Sequence, residues 1–317
     1  MNTIPLTLDD RKTSYAVVGG RGCPGNFPVS VVILNRGPRI YRAALVQDIL
    51  DAGFDSLISV ETGRPSPELE GVATRFPQLR FILLRDDVSV GEQINIAMRE
   101  ACSPYVFVIW NDMRLASSAL SARFFDRVAE LDAACLVPQL SSADGSVVPS
   151  VMHPALAGQA LRCVPLPPAK DGEGSLFPYD YCGIYSRERF VLSGGFDWTI
   201  SQAYWQLMDF GMRLWLWGER VSHAQALKIR YQGSPPDTDL TPDASYARFW
   251  LKNLAPRHRG DSAYLPGRRF FRFLLSSRLG PVEARNEFLA ARTWVKANEY
   301  RFKQDAARLV NLWDPLP

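Results

Sequence analysis

Apolar segments recur along the first half of the chain, separated by stretches of helical periodicity. Val29, Val31, Val32, Ile33 and Leu34 form a β-branched run without alternation, which predicts a strand covered on both faces. Residues 41–52 then carry Ala44, Leu45, Ile49 and Leu50 at helical spacing and stop at Gly53. The same alternation continues with strands over 57–60, 79–84, 105–109 and 135–138. Between them the periodicity predicts helices over 67–76, 90–101 and 119–131. Strands and helices of these lengths in strict alternation imply right-handed βαβ units and a mostly parallel sheet. Ligands of such sheets lie outside the carboxyl ends of the strands. The residues there are Asn35-Arg36, Glu61-Thr62-Gly63, Asp86-Asp87 and Asn111-Asp112, all four places polar or charged.

After Pro138 the pattern changes. Residues 141–149, centred on Asp144-Gly145, predict a hairpin. The proline-rich, acidic stretch 165–178 reads as a mobile loop. A strand over 182–185, a helix over 187–192 ended by Gly194-Gly195, an apolar helix over 200–217 and a strand over 226–231 follow. Helical stretches over 246–254 and 282–312 complete the chain. The expected organisation is an irregular lead-in over 1–28, an α/β domain over 29–235 and a C-terminal helical extension over 236–317. Within the domain, 29–138 forms a nucleotide-binding half and 139–235 an acceptor half.

At 317 residues the chain can bury a large core, and its net charge of +3 calls for no nucleic acid partner. The basic excess is local. Arg257, Arg259, Arg268, Arg269, Arg272 and Arg278 are interleaved with Tyr264, Phe270, Phe271 and Phe273. That stretch suits either a solvated helical face or peripheral contact with an anionic membrane. Five cysteines, an odd number with no CxxC pair, argue against a disulfide framework and a zinc site, and fit a reducing compartment. No apolar run approaches the roughly 20 residues that span a bilayer. The expectation is a cytoplasmic protein, at most resting on the inner face of the membrane.

The order of these features resembles the inverting family 2 glycosyltransferases of the nucleotide-diphospho-sugar transferase (GT-A) fold. The resemblance runs from Val29 to about Tyr231. The opening strand with its polar end Asn35-Arg36 matches, as do Gly91, Asn95 and Ala97 on the helix after the third strand. So do the strand running into Asn111-Asp112-Met113, the Gly194-Gly195-Phe196-Asp197 segment, and the helix carrying Asp209 and Arg213. The resemblance implies a single Rossmann-like domain that moves a sugar from a nucleoside-diphosphate donor to a hydroxyl of a glycan or lipid-linked acceptor, with inversion. Assembly of a bacterial surface polysaccharide is the setting it suggests.

It also implies roles. Asn35, Glu61, Gly91 and Asn95 would line or brace the donor, Glu61 standing where the family has an aspartate at the nucleoside. Asn111 and Asp112 would meet the diphosphate, with Asp112 as ligand to a Mn or Mg ion. The family places two carboxylates at that turn, and here Asp112 stands alone; Tyr231 occupies the place of a late metal-binding histidine. Asp209 would be the base, with Asp197 as the alternative. The plainer readings stay open. Asp209 and Arg213 are spaced for a helical ion pair, Asp197 can cap a helix, and Asp112 can brace its loop. A nucleotidyltransferase or a non-catalytic relative that only binds are the other readings of the chain.

Overall fold

A computed structural model describes residues 4–20, 28–37, 42–54, 56–62, 67–115, 122–157, 160–277 and 279–313. The calls made above on Gly63 and Arg278 lie outside them. The fold is mixed α/β with a large, mainly parallel central sheet and a helical C-terminal portion. The β-branched runs form β2 (Val29–Leu34), β3 (Leu57–Thr62), β4 (Leu79–Leu84) and β5 (Tyr105–Trp110), which lie parallel to one another in the order β4-β3-β2-β5. All six residues of β2 are buried, as a strand covered on both faces requires.

The sheet extends past β5 through β10 (Gly183–Ser186), β7 (Cys135–Ser141), β11 (Val221–Tyr231) and β6 (Met113–Leu115). Strands β7 and β11 run in the direction of β5, whereas β10 and β6 run against it. The covering helices of the first half are α1 (Arg42–Asp51), α2 (Pro67–Arg75), α3 (Val90–Glu100) and α4 (Ala122–Glu130). In the second half come α5 (Arg187–Leu192) and α6 (Ala203–Leu216). The chain then continues through α7 (Ala244–Phe249), a π-helical turn Trp250–Leu254, α8 (Arg269–Ser276), α9 (Pro281–Ala297) and α10 (Ala306–Asn311).

Several expectations need correction. The lead-in is not wholly irregular: β1 (Tyr15–Gly19) pairs antiparallel with β4 at the sheet edge, and Ile4 and Leu8 are buried in the core. Its β-prone Tyr15, Val17 and Val18 were masked by the turn-rich residues that follow. The stretch 165–178 is held rather than loose. Strands β8 (Val151–Ala157) and β9 (Ala160–Leu166) form a separate hairpin, and Ser175 N donates to Val221 O at 2.9 Å. Strand β11 starts five residues earlier than its apolar run suggests. The extension over 236–317 also enters the core, since Lys252 and Asn253 are each 1% exposed. Finally, Cys102 is disulfide-bonded, while Cys135, Cys163 and Cys182 are free.

Candidate functional site

The carboxyl ends of β2 and β5 bring Arg36 against the turn Asn111-Asp112. The Arg36 guanidinium donates to both oxygens of Asp112, from Nε at 2.8 Å and Nη2 at 3.1 Å, a bidentate fork that lysine cannot reproduce. Its Nη1 reaches Asp180 at 3.0 Å. The guanidinium carbon sits 4.3 Å from the Trp110 ring centre and 5.9 Å from that of Tyr231. Burial pulls the Arg36 pKa down, but Asp180 and Asp112 outweigh it and hold it above its ordinary value. Asn111 fixes the loop from beneath by accepting the Arg36 backbone N–H at 2.9 Å.

Asp180 is the residue sequence reasoning missed. It follows a stretch read as a loop and has φ 51°, with Tyr181 beside it at 59°. A left-handed aspartate is tolerable; a left-handed tyrosine is strained and persists only where its surroundings hold it. Tyr181 is held by its hydroxyl on Gln206 Oε1 at 2.9 Å and by its ring packed 5.1 Å from Phe196. The twisted turn aims Asp180 inward. Tyr231 donates its phenol to Asp180 Oδ2 at 2.9 Å, and Trp110 Nε1 donates to the Asp180 carbonyl at 2.8 Å. Burial raises the Asp180 carboxyl to about 6, against the opposing pull of Arg36 and Tyr231. No local sequence signal marks this residue; Arg36 and Tyr231, by contrast, stood at strand ends already singled out.

Asp180 also lines a cavity of about 620 Å³ whose wall includes Met152, Phe177, Tyr204 and Leu207. Asp180 is therefore shared by the strand-end cluster and the cavity wall.

The other expected site residues are held in internal packing contacts. Glu61 is buried and locked, accepting from Arg42 Nη1 at 2.7 Å and from Ser59 Oγ at 2.7 Å. Asn35 donates to Val60 O at 2.8 Å and leans on Glu61 Oε1 at 3.3 Å. Asn35 Oδ1 and Asn111 Nδ2 are buried and have no hydrogen-bond partner among the described residues. Gly91 and Asn95 belong to the packing of α3 on the Gly-Gly-Phe-Asp segment. Asn95 clamps the Phe196 backbone, accepting its N–H at 2.9 Å and donating to its carbonyl at 2.8 Å. A Cβ on Gly91 would come 2.6 Å from Phe196 Cβ.

Asp209 and Asp197 meet in a buried network instead of at the cavity. Asp209 is 0% exposed; it accepts from Arg213 at 3.0 Å, from Lys252 at 2.8 Å and from Asn253 at 2.8 Å. Burial alone would raise its pKa, but Lys252 and Arg213 reverse the sign and lower it. Asp197 holds Lys252 at 2.7 Å and caps the turn through the Thr199 N–H at 2.9 Å. The helical position three residues before Asp209 is Gln206, which braces Gly91 N, Asp197 O and Ile200 O, and the next is the apolar Leu207.

The GT-A resemblance implies a divalent cation at the strand-end turn, with Asp112 as its ligand. The residues present do not fit one. Both Asp112 oxygens are occupied by Arg36, Trp110 offers only an indole, and Tyr231 stands where an imidazole would be needed. Among the described residues no three His, Cys, Asp or Glu side chains converge.

No family model matches the chain, and no curated protein sequence does. Solved structures do share its fold. GalNAc-T7 with UDP, GalNAc and Mn2+ superposes with a TM-score of 0.56 at 12% identity, over 72% of this chain and 48% of that one. TarS of S. aureus superposes with a TM-score of 0.50 at 14% identity, over 90% of this chain and 46% of that one. Its 1–349 segment in complex with UDP-GlcNAc gives 0.53 at 14% identity, over 85% and 74%. The chain thus spans about half the length of GalNAc-T7 and of whole TarS. At these identities the likeness establishes the GT-A glycosyltransferase fold.

Proposed function

We propose that the chain transfers a sugar from a nucleoside-diphosphate donor to an acceptor hydroxyl, with inversion. The observation that carries this reading is Asp180, which links the Arg36–Asp112 cluster at the strand ends to the adjoining cavity. In this proposal the nucleoside lies over the ends of β2, β3 and β5. Asn35 and Asn111 brace the strand ends beneath the donor, and Glu61 supports Asn35 from below.

Arg36 has five N–H groups and, among the described residues, uses three on Asp112 and Asp180, which offers two to the diphosphate. The acceptor hydroxyl lies in the cavity against Asp180. Its oxygen attacks the anomeric carbon opposite the diphosphate, the bond to the diphosphate breaks with its electron pair, and the hydroxyl proton passes to Asp180. Asp209 and Asp197 act as positioning residues that fix α6 and the Gly-Gly-Phe-Asp segment. Bacterial surface-glycan assembly at the inner face of a membrane is the proposed setting. Exposed Phe271 and Leu275 on α8, beside Arg268, Arg269 and Arg272, support a peripheral lipid contact.

A second reading has a specific observation in its favour: Gln206 and Leu207 leave no free carboxylate on the first turns of α6, so the chain would bind a nucleotide sugar without turning it over. Incubation with UDP-, GDP- and dTDP-sugars and a panel of alcohols, with release of the nucleoside diphosphate followed, separates the two. Release that requires Asp180 supports transfer; binding without release supports the second reading.

A further inference from the structure

We infer that the cavity beside Asp180 takes the acceptor, and that this acceptor is a small molecule carrying its hydroxyl on an apolar frame without negative charge. The inference rests on the glycosyl-transfer reading and replaces the surface-glycan setting with an uncharged apolar acceptor. The wall is built largely from Val148, Met152, Phe177, Tyr204, Leu207 and Pro236. A bare sugar needs hydrogen-bonding groups spread around its ring, and this wall has few to spare. Gln202 Nε2 donates to Asp239 O at 3.1 Å and the Tyr181 hydroxyl to Gln206 at 2.9 Å, while Gln202 Oε1 is the buried polar atom of this wall without a partner among the described residues.

The charges settle the rest. Among the described residues, the charged ones lining the cavity are Asp180, Asp237 and Asp239, and no Lys, Arg or His lines it. Asp180 lies at the buried end, whereas Asp237 and Asp239 are exposed at the rim. An anionic acceptor, such as a phosphate-bearing chain, would pass two carboxylates and end on a third, whose neighbouring cation Arg36 is already engaged by Asp180 and Asp112 and, in this reading, by the donor diphosphate. An uncharged alcohol or phenol meets the opposite situation. Its body replaces water on apolar wall, and its O–H finds a carboxylate acceptor at the far end. A volume of about 620 Å³ accommodates a frame of two or three fused rings or an equivalent aliphatic body.

The test is direct binding of a matched pair, 2-naphthol and 2-naphthyl phosphate, to the full chain at pH 7.5, with UDP titrated in parallel. The expected result is that naphthol binds at least tenfold more tightly than its phosphate. Ala203→Trp, which fills the cavity from the start of α6, should weaken naphthol at least tenfold. The surface pair Asp237→Lys with Asp239→Lys should narrow the gap between the two probes, and it does so without touching the core. Equal or tighter binding of the phosphate overturns the inference, as does naphthol binding that neither Ala203→Trp nor the lysine pair changes. UDP binding without naphthol binding overturns the acceptor class alone. Naphthol binding without UDP binding removes the glycosyl-transfer reading, leaving the cavity as an apolar site.

Discussion

Lys252 places its ammonium 2.8 Å from Asp209 Oδ1, and both groups are buried, although 43 positions separate them along the chain. The C-terminal extension therefore neutralises a carboxylate in the middle of α6. Removing one partner of a buried pair leaves an uncompensated charge, which costs about 3–5 kcal/mol. Lys252→Met is expected to lose stability of that order in urea denaturation, far more than an exposed lysine would. The pH dependence has a definite sign. The Asp209 pKa is lowered on folding, so its contribution is present above the ordinary aspartate value near 3.8 and is lost as pH falls through the lowered one.

The same network separates structure from chemistry at Asp209. Asp209→Asn keeps the shape but weakens the hold on Lys252 and Arg213. It is expected to unfold at lower urea while the folded fraction keeps kcat within roughly tenfold of wild type. A variant as stable as wild type yet inactive would return the base to Asp209.

Asp180 carries the opposite expectation. Asp180→Asn should lower kcat by roughly 10²–10⁴-fold, the usual contribution of a positioned base, while nucleotide affinity holds or strengthens severalfold because one negative charge is gone. In the wild type kcat should rise with pH through a midpoint near 6 and then level off, as the carboxylate forms. Stability runs the other way. A carboxyl raised to about 6 in the folded state favours folding most fully below about 3.8, and that share is lost as pH rises through 6.

Charge at the strand ends predicts a second pH effect. One guanidinium and two ionised carboxylates, Asp112 and Asp180, sum to −1, which opposes a diphosphate. Protonation of Asp180 brings the sum to zero. Nucleotide affinity should therefore strengthen severalfold from pH 8 to pH 5.5, while turnover falls over the same range. Arg36→Lys, which keeps the charge and loses the fork, should weaken nucleotide binding by roughly tenfold, about 1.4 kcal/mol. Binding should be the same in EDTA as in manganese; a requirement for manganese would show that Arg36 gives way to a metal ion.

Asn95 tests the packing of the Gly-Gly-Phe-Asp segment. Asn95→Ala strands the buried N–H and C=O of Phe196, each costing about 1–3 kcal/mol. A loss of stability in that range, read by thermal or urea melting, is expected, together with a higher KM for the acceptor as the start of α6 loosens.

The parallel block was legible because every strand in it is a β-branched or apolar run and every helix between carries a period of 3.6. The antiparallel additions were harder. Tyr15 to Gly19 is short and half exposed, and β11 carries Ser222 and His223 just after its first residue, where their polar side chains are buried by contacts distant in sequence. At the site, Arg36, Asn111 and Asp112 were visible as the polar ends of strands. Asp180 was not, because its importance comes from a left-handed turn set by Tyr181 packing on Phe196 and Gln206. Nor could periodicity show that Lys252, from a π-helical turn, would reach Asp209.

The most direct test of the account is calorimetric titration of the full chain with UDP, GDP and dTDP at pH 5.5 and pH 8, each in EDTA and in manganese. The account predicts one-to-one binding of at least one nucleotide, tighter at pH 5.5, independent of manganese and weakened in Arg36→Lys. Absence of binding by all three nucleotides under every condition would contradict the assignment of a donor site to the ends of β2, β3 and β5.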